Sequence, residues 1–308
     1  MLLVDYCLGI RSERRLCEEV HLNLAYRWFC RLDLSDPIPN HSTFSKNRHR
    51  RFREGKLLRH LFEKAVARCI ADGLVTGQRL AEDASLIEAD ATNQNSTPKE
   101  DWDRSTIDPN DAPRAVREDL DVLEDAAFGA ASTVEPKFTS HSDPSSQWTA
   151  ARKGPAFFGY TTNYLIDTDH SVIVDVEGTR SIRQAEVGSV RAMLDRIKEQ
   201  HNIDPERLIA DSAYGSGPML GWLVDREEHE DARQVARDIA KTKQYAMSMR
   251  LRKKVEMLFA HLKRIRGLGR LRLRGPCGAN DEFLLAATAQ NPRKLAKIFS
   301  APQQMRKA

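Results

Sequence analysis

Two runs rich in β-branched and aromatic residues, FFGYTTNYLI at 157–166 and SVIVDVEG at 171–178, flank Asp167, Thr168, Asp169 and His170. Such side chains suit a pleated, half-buried surface, and a four-residue polar link joins two such runs into a hairpin. The chain must therefore build a sheet around this hairpin. What surrounds it sets the class of sheet. EVGSVRAMLDRIKEQ places Val187, Val190, Leu194 and Ile197 on one helical face, and RLIAD at 207–211 reads as a short buried strand. Upstream, QRLAEDASLIEADA at 78–91 is a further β-compatible run that ends in the polar loop TNQNSTPKE. Strand, hairpin, helix and strand in that order predict an α/β domain with a mixed sheet flanked by helices.

Residues 1–75 follow a different period. Apolar positions recur at helical spacing in RLCEEVHLNLAYRWFCRLDL and in LLRHLFEKAVARCIADGL. Between them Pro37 and Pro39 interrupt the chain, and Asn40 or Ser42 can cap a helix starting at Thr43. The sequence thus predicts a small all-α domain at 1–75, an α/β domain at 76–300 and a tail at 301–308. Helix, turn and basic helix is the order of a helix-turn-helix DNA reader, and also of any two-helix hairpin with a basic surface. PRAVREDLDVLEDAAF and PMLGWLVDREEHE predict further helices in the second domain.

A net charge of +4 does not separate a nucleic-acid binder from an ordinary enzyme, so the distribution of charge matters more. Lys46, Arg48, Arg50, Arg51, Arg53, Lys56 and Arg59 form one basic block, and a second runs from Arg250 to Arg274. Residues 100–125 between them are acidic. Two basic surfaces fit a protein that holds a polyanion at two places, because each cation near a phosphate releases condensed counterion. Solvated helix faces give the same pattern. No apolar run reaches the roughly 18 residues that span a bilayer, and MLLVDYCLGIRSERR lacks a signal-peptide pattern. The expected setting is the cytoplasm, with the nucleoid, and not a membrane. The five cysteines include no C-x-x-C pair, which favours reduced thiols over a zinc knuckle or a disulfide framework.

Cutting a phosphodiester needs an activated water and charge relief on the leaving oxygen, which two divalent ions held by carboxylates supply. Asp211 closes the strand RLIAD, and Asp83 lies in the first strand of the same domain. Either could equally be a turn former or a helix cap. Glu256 is the only acidic residue from Met247 to Asn280, within a helix otherwise rich in Lys and Arg. At 100° per residue, Arg252, Glu256 and Lys263 form one stripe beside the apolar arc of Leu251, Val255, Leu258, Phe259, Leu262 and Ile265. An Arg252 to Glu256 surface pair is the plain explanation of that stripe.

These residues resemble the DDE transposases of bacterial insertion sequences. RSERRLCEEVHLNLAYRWFCRLDLSDPIPNHSTFSKNR is similar to their helical N-terminal domain, AEDAS to their first-aspartate strand, ADSAYGS to their second-aspartate strand, and RKKVEMLFAHLKR to their glutamate helix. The resemblance implies an RNase H-like fold and a catalytic, metal-holding triad of Asp83, Asp211 and Glu256 with two Mg²⁺ or Mn²⁺ ions. Arg252 and Lys263 keep the family spacing of arginine and lysine around the glutamate, which implies DNA contacts. Met249 stands where the family usually has tyrosine. Lys46, Arg48, Arg50 and Arg51 are the candidate DNA contacts of the N-terminal domain. The implied partners are double-stranded DNA, as element ends and as target, and further copies of the chain assembled on that DNA.

One departure concerns the connection to the glutamate. Asp211 and Glu256 are only 45 positions apart (256 minus 211), and the insertion usual in the family is lacking near 230–231, with no strand signal in its place. The sequence therefore predicts DNA binding with inefficient cleavage. The leading reading is metal-dependent strand cleavage and transfer, and the alternative is a non-catalytic DNA-binding relic. A metal-dependent nuclease outside transposition is a third, less suited to the helical N-terminal domain.

Overall fold

A computed structural model of the chain describes residues 1–52, 56–121, 136–150, 154–211 and 242–299. The opening helices are α1 (Leu2–Leu8), α2 (Glu13–Leu22), α3 (Leu24–Phe29), α4 (His41–Asn47) and α5 (Leu57–Ala71). Polar side chains start three of them. Ser12 accepts from the Arg15 amide at the head of α2, and Asn23 accepts from Ala25 and Tyr26 at the head of α3. The Asn40 carboxamide accepts from the Ser42 amide, and α4 begins at His41, two residues before the predicted start.

After α5 come β1 (Arg79–Glu88), β2 (Ser96–Pro98), α6 (Arg114–Asp121), β3 (Phe138–Ser140), β4 (Gln147–Ala150), β5 (Ala156–Asp167) and β6 (Val172–Arg180). Then follow α7 (Arg183–His201), β7 (Arg207–Ile209), α8 (Lys243–Arg264) and α9 (Pro276–Phe299). The predicted helix at 218–230, the second half of the one at 113–128, the missing-strand region and the tail lie outside the described residues.

The hairpin is the centre of the sheet. β5 pairs antiparallel with β6, Asp167 opposite Val172, so the link falls at 168–171, one residue later than predicted. On its other edge β5 pairs antiparallel with β1, and β1 pairs parallel with β7. β4 continues the pairing of β5 beyond β6. The sheet is therefore mixed, as the order of elements implies, with β1 between β5 and β7. Alternation along β5 then sorts the helices. Thr161 donates to Glu186 of α7, while Tyr164, on the opposite face, stacks on Phe259 of α8. So α7 covers one face and α8 the other.

The α-helical segment does not stand apart from this sheet. Tyr6, Leu58, Phe62, Val66 and Cys69 join the same buried cluster as Leu80, Tyr164, Ile166, Phe259 and Phe283. Arg59 of α5 reaches Asp175 on β6 at 2.6 Å, and Arg196 of α7 holds the same carboxylate at 2.8 Å.

A second buried polar group ties the loops together. Asp143, wholly buried, accepts from the Tyr160 hydroxyl at 2.5 Å and from the Gly275 amide at 3.0 Å. Burial pushes its carboxyl up to about 7 despite those two donors, and Glu118 and Asp119 push the same way. The folded value lies above the unfolded one, so the stabilisation is complete below about pH 4 and is lost as pH rises through 7. Urea midpoints should therefore fall between about pH 5 and pH 8, by about 2 to 4 kcal/mol in stability. Asp143→Asn should flatten that fall and lower stability at pH 5, because the amide nitrogen cannot accept from the donor it faces. A wild-type slope retained in the variant would remove Asp143 as its source.

Candidate active site

The pairing of β1 with β7 sets the first two carboxylates. Ala81 is in register with Ile209 on parallel neighbours; two residues further along stand Asp83, within β1, and Asp211, two residues past the end of β7. Equal steps along paired strands keep side chains on the same face. Asp83 lies opposite Tyr164 on β5, and Tyr164 faces α8, so both aspartates belong to the α8 face. The sheet therefore brings together two residues that sequence alone could only place on separate strands, Asp83 within one and Asp211 at the end of the other.

Three contacts lay α8 across the sheet, one each to β1, β5 and the residue just past β7. Arg252 reaches the Asp211 carboxylate at 3.2 Å, and the Lys263 ammonium donates to the Leu86 carbonyl at 2.8 Å. Between them Phe259 lies almost parallel to Tyr164, with ring centroids 5.0 Å apart and planes 7° from parallel. Glu256, one turn before Phe259, is exposed and makes no ion pair among the described residues. The predicted Arg252 to Glu256 surface pair is not formed. Arg252 turns instead to Asp211.

Electrostatics shows how close the acids are. Burial raises the Asp83 carboxyl to about 6; the Ala84 amide and Arg252 oppose that shift, while Glu256 and Asp211 add to it. Glu256 and Asp211 thus act on Asp83 from across the face. Lys263, half-buried, has its ammonium lowered by desolvation and is partly restored by Asp83. Among the described residues, no three His, Cys, Asp or Glu side chains form a closed metal-holding group. The donor chemistry nevertheless fits a hard divalent ion, since Asp83 is a carboxylate short of positive charge beside two further carboxylates.

Two family matches agree with this arrangement. Residues 1–50 match the Transposase domain (DUF772) family, and residues 131–291, just over half of the chain, match the Transposase DDE domain family. The chain belongs to the DDE transposase family. Its mixed sheet flanked by helices is RNase H-like, the fold of that domain. No curated protein and no solved structure matches this transposase. The DDE match spans Asp211 and Glu256 and begins after Asp83.

The basic residues of the transposase divide more sharply than its charge runs suggest. Lys46 and Arg51 are exposed, and the side chain of Arg50 lies outside the described residues. Arg48 is 3% exposed and holds Glu13 at 2.6 Å, so it ties α2 to the turn after α4 and faces no solvent. This corrects its expected place among the DNA contacts. Charge runs count every arginine as outward, and only a partner acid elsewhere in the fold distinguishes a strut from a contact. Sequence reasoning marks Tyr164 and Phe259 only as sheet and core residues, yet their stacking places α8. Among the described residues, no helix is long and apolar enough to cross a membrane.

Proposed function

We propose that this transposase cuts and joins DNA strands at the face where Asp83, Asp211 and Glu256 meet, with a divalent ion such as Mg²⁺ or Mn²⁺. The observation that supports the reading is the parallel pairing of β1 with β7, with Asp83 on β1 and Asp211 just past β7, and with Arg252 and Lys263 of the helix bearing Glu256 bonded to Asp211 and Leu86. Asp83 and Asp211 would hold the metals and Glu256 one of them. When bound, the ions supply an activated water and relief of charge on the leaving oxygen. The chain's own residues supply placement. Arg252 holds the Asp211 carboxylate, Lys263 anchors α8 to β1, and the exposed Glu256 stands at the solvent side of the face. Exposed Lys46 and Arg51 are proposed to contact DNA, with Arg50 a candidate on sequence alone. Assembly of several copies on element ends and a place in the nucleoid belong to the same reading.

The test is nicking and joining of DNA carrying the element's inverted repeats, with Mg²⁺ or Mn²⁺, and with Glu256→Gln as control. Metal-dependent nicking that disappears in the control supports the reading. End binding without nicking would make the chain a DNA-binding relic, and nicking indifferent to the repeats would make it a general nuclease.

Arg252 and Lys263 have structural partners as well as a place beside the carboxylates. Replacing both by Ala should lower DNA affinity and flatten the plot of log K against log salt, by up to about 0.9 for each phosphate no longer neutralised. Because Lys263 also anchors α8, the double variant should melt lower than the parent. A lower melting point with an unchanged salt slope would leave both residues as struts only.

A further inference from the structure

About 140° round α8 from Glu256, a separate group of positive charges gathers where α1, α8 and α9 meet. His261 on α8 lies 2.7 Å from the Arg293 guanidinium of α9. Arginine can only donate, so this imidazole nitrogen accepts and the ring is neutral in that contact. Arg266, just past the end of α8, is only 9% exposed, and its buried Nε has no hydrogen-bond partner. Arg293 lies close enough to Arg266 to oppose its charge, and both guanidiniums act on the Cys7 thiol of α1. Among the described residues, neither arginine has a carboxylate partner.

This is an unusual state for a buried cation. Elsewhere in the fold buried arginines are matched by acceptors: Arg48 by Glu13, Arg272 by Asp5 and Glu282, Arg180 by Asp119, and Arg27 by the backbone carbonyls of Asp33 and Asp36. An unpaired charge out of water is costly, and a second like charge beside it adds to that cost. The carboxyl end of α8 offers about half a negative charge, which does not balance two guanidiniums. A pair of planar donor forks with no acid between them matches the oxygens of a phosphate.

We propose that Arg266 and Arg293 form an oxyanion site that takes a phosphate of the DNA backbone, on the side of α8 away from the carboxylates. It rests on the reading of the chain as a DNA-acting transposase only for the source of the phosphate. The site gives the duplex a second hold, so that DNA engaged at the carboxylate face is also gripped behind the glutamate helix. His261 positions Arg293 and does not itself hold the anion.

The experiment uses the full chain without divalent metal, so that binding is read apart from cleavage. Affinity for a labelled mixed-sequence duplex is measured across a salt series for the parent, Arg266→Gln, Arg293→Gln and the double variant. Arg68→Gln, whose charge is matched by Asp72, is the control. The double variant should bind about 10-fold more weakly and lose about 0.9 from the salt slope, while the control keeps both. A second arm follows melting with inorganic phosphate against chloride at equal ionic strength. Phosphate should raise the melting temperature of the parent and not of the double variant. Without phosphate, Arg266→Gln should melt no lower than the parent, because it removes a cost. Stabilisation by phosphate with an unchanged DNA slope would assign the site to a free phosphate-bearing ligand and overturn the DNA contact. No response in either arm would leave Arg266 as a helix-end cation and overturn the site. A parent that binds no DNA would refute the transposase reading, and the phosphate arm would still judge the site.

Discussion

Asp83→Asn should abolish metal-dependent nicking of element-end DNA, by about 1,000-fold or more, while leaving affinity for that DNA within a few-fold of the parent. Losing a ligand that holds a catalytic ion removes several kcal/mol of transition-state stabilisation, and each 1.4 kcal/mol is about tenfold in rate. The substitution keeps the shape of the side chain and removes the charge that its surroundings already disfavour. Asp83 is raised to about 6 by burial and by two neighbouring acids, so a neutral side chain at that position should also stabilise the metal-free protein. The variant is therefore expected to melt at or above the parent at neutral pH. Low activity together with undiminished stability separates a metal ligand from a structural aspartate, whose loss would lower both. Asp211→Asn should lose activity too, but with a drop in stability, because it frees the Arg252 guanidinium now held at 3.2 Å. Parent-level nicking by Asp83→Asn would exclude the residue from the site.

How much of this was legible in the sequence depends on the range of the interactions involved. The hairpin of β5 and β6 was plain because its pattern and its turn are local, and the error in the turn was one residue. Asp83 and Asp211 could be singled out as acids, one within a strand and one at a strand end. Their adjacency could not be read, because the pairing of β1 with β7 joins segments over a hundred residues apart and follows from the whole sheet. Arg48 failed for the same reason. Lys46, Arg51 and Lys56 of the same basic block are exposed, but Glu13 lies on another helix and draws Arg48 into the interior. Asp143, within HSDPSS, looks like a turn residue, and nothing nearby announces that Tyr160 and Gly275 close over it. The short connection before α8 suggested a badly held glutamate helix. The Lys263, Phe259 and Arg252 contacts hold that helix on the sheet all the same, which is the physical ground for expecting cleavage.

A chain cut to residues 76–308 should fail to fold, although sequence periodicity marks a boundary near residue 75. Tyr6, Leu58, Phe62, Val66 and Cys69 all sit in the cluster that covers the sheet, and Phe62 and Val66 are essentially inaccessible. Burying each of the large apolar side chains is worth about 1.5 to 3 kcal/mol, and whole domains are stable by only about 5 to 15 kcal/mol. The polar ties make the loss worse. Arg272 is held between Asp5 of α1 and Glu282 of α9, and the Tyr6 hydroxyl donates to Glu282 at 3.0 Å. Without α1, the buried Glu282 carboxylate loses the Tyr6 hydroxyl, and Arg272 loses the Asp5 partner. On β6, Asp175 would keep Arg196 but lose Arg59. The truncated chain should therefore show no cooperative melting transition and should bind a hydrophobic dye at temperatures where the full chain does not. A milder variant isolates the cause. Phe62→Ala in the full chain should cost about 3 to 5 kcal/mol, read from denaturant midpoints, while conserving the fold. A truncated chain that melts cooperatively within a few degrees of the full one would show that the sheet, α7, α8 and α9 suffice, and that the first five helices are a separable module.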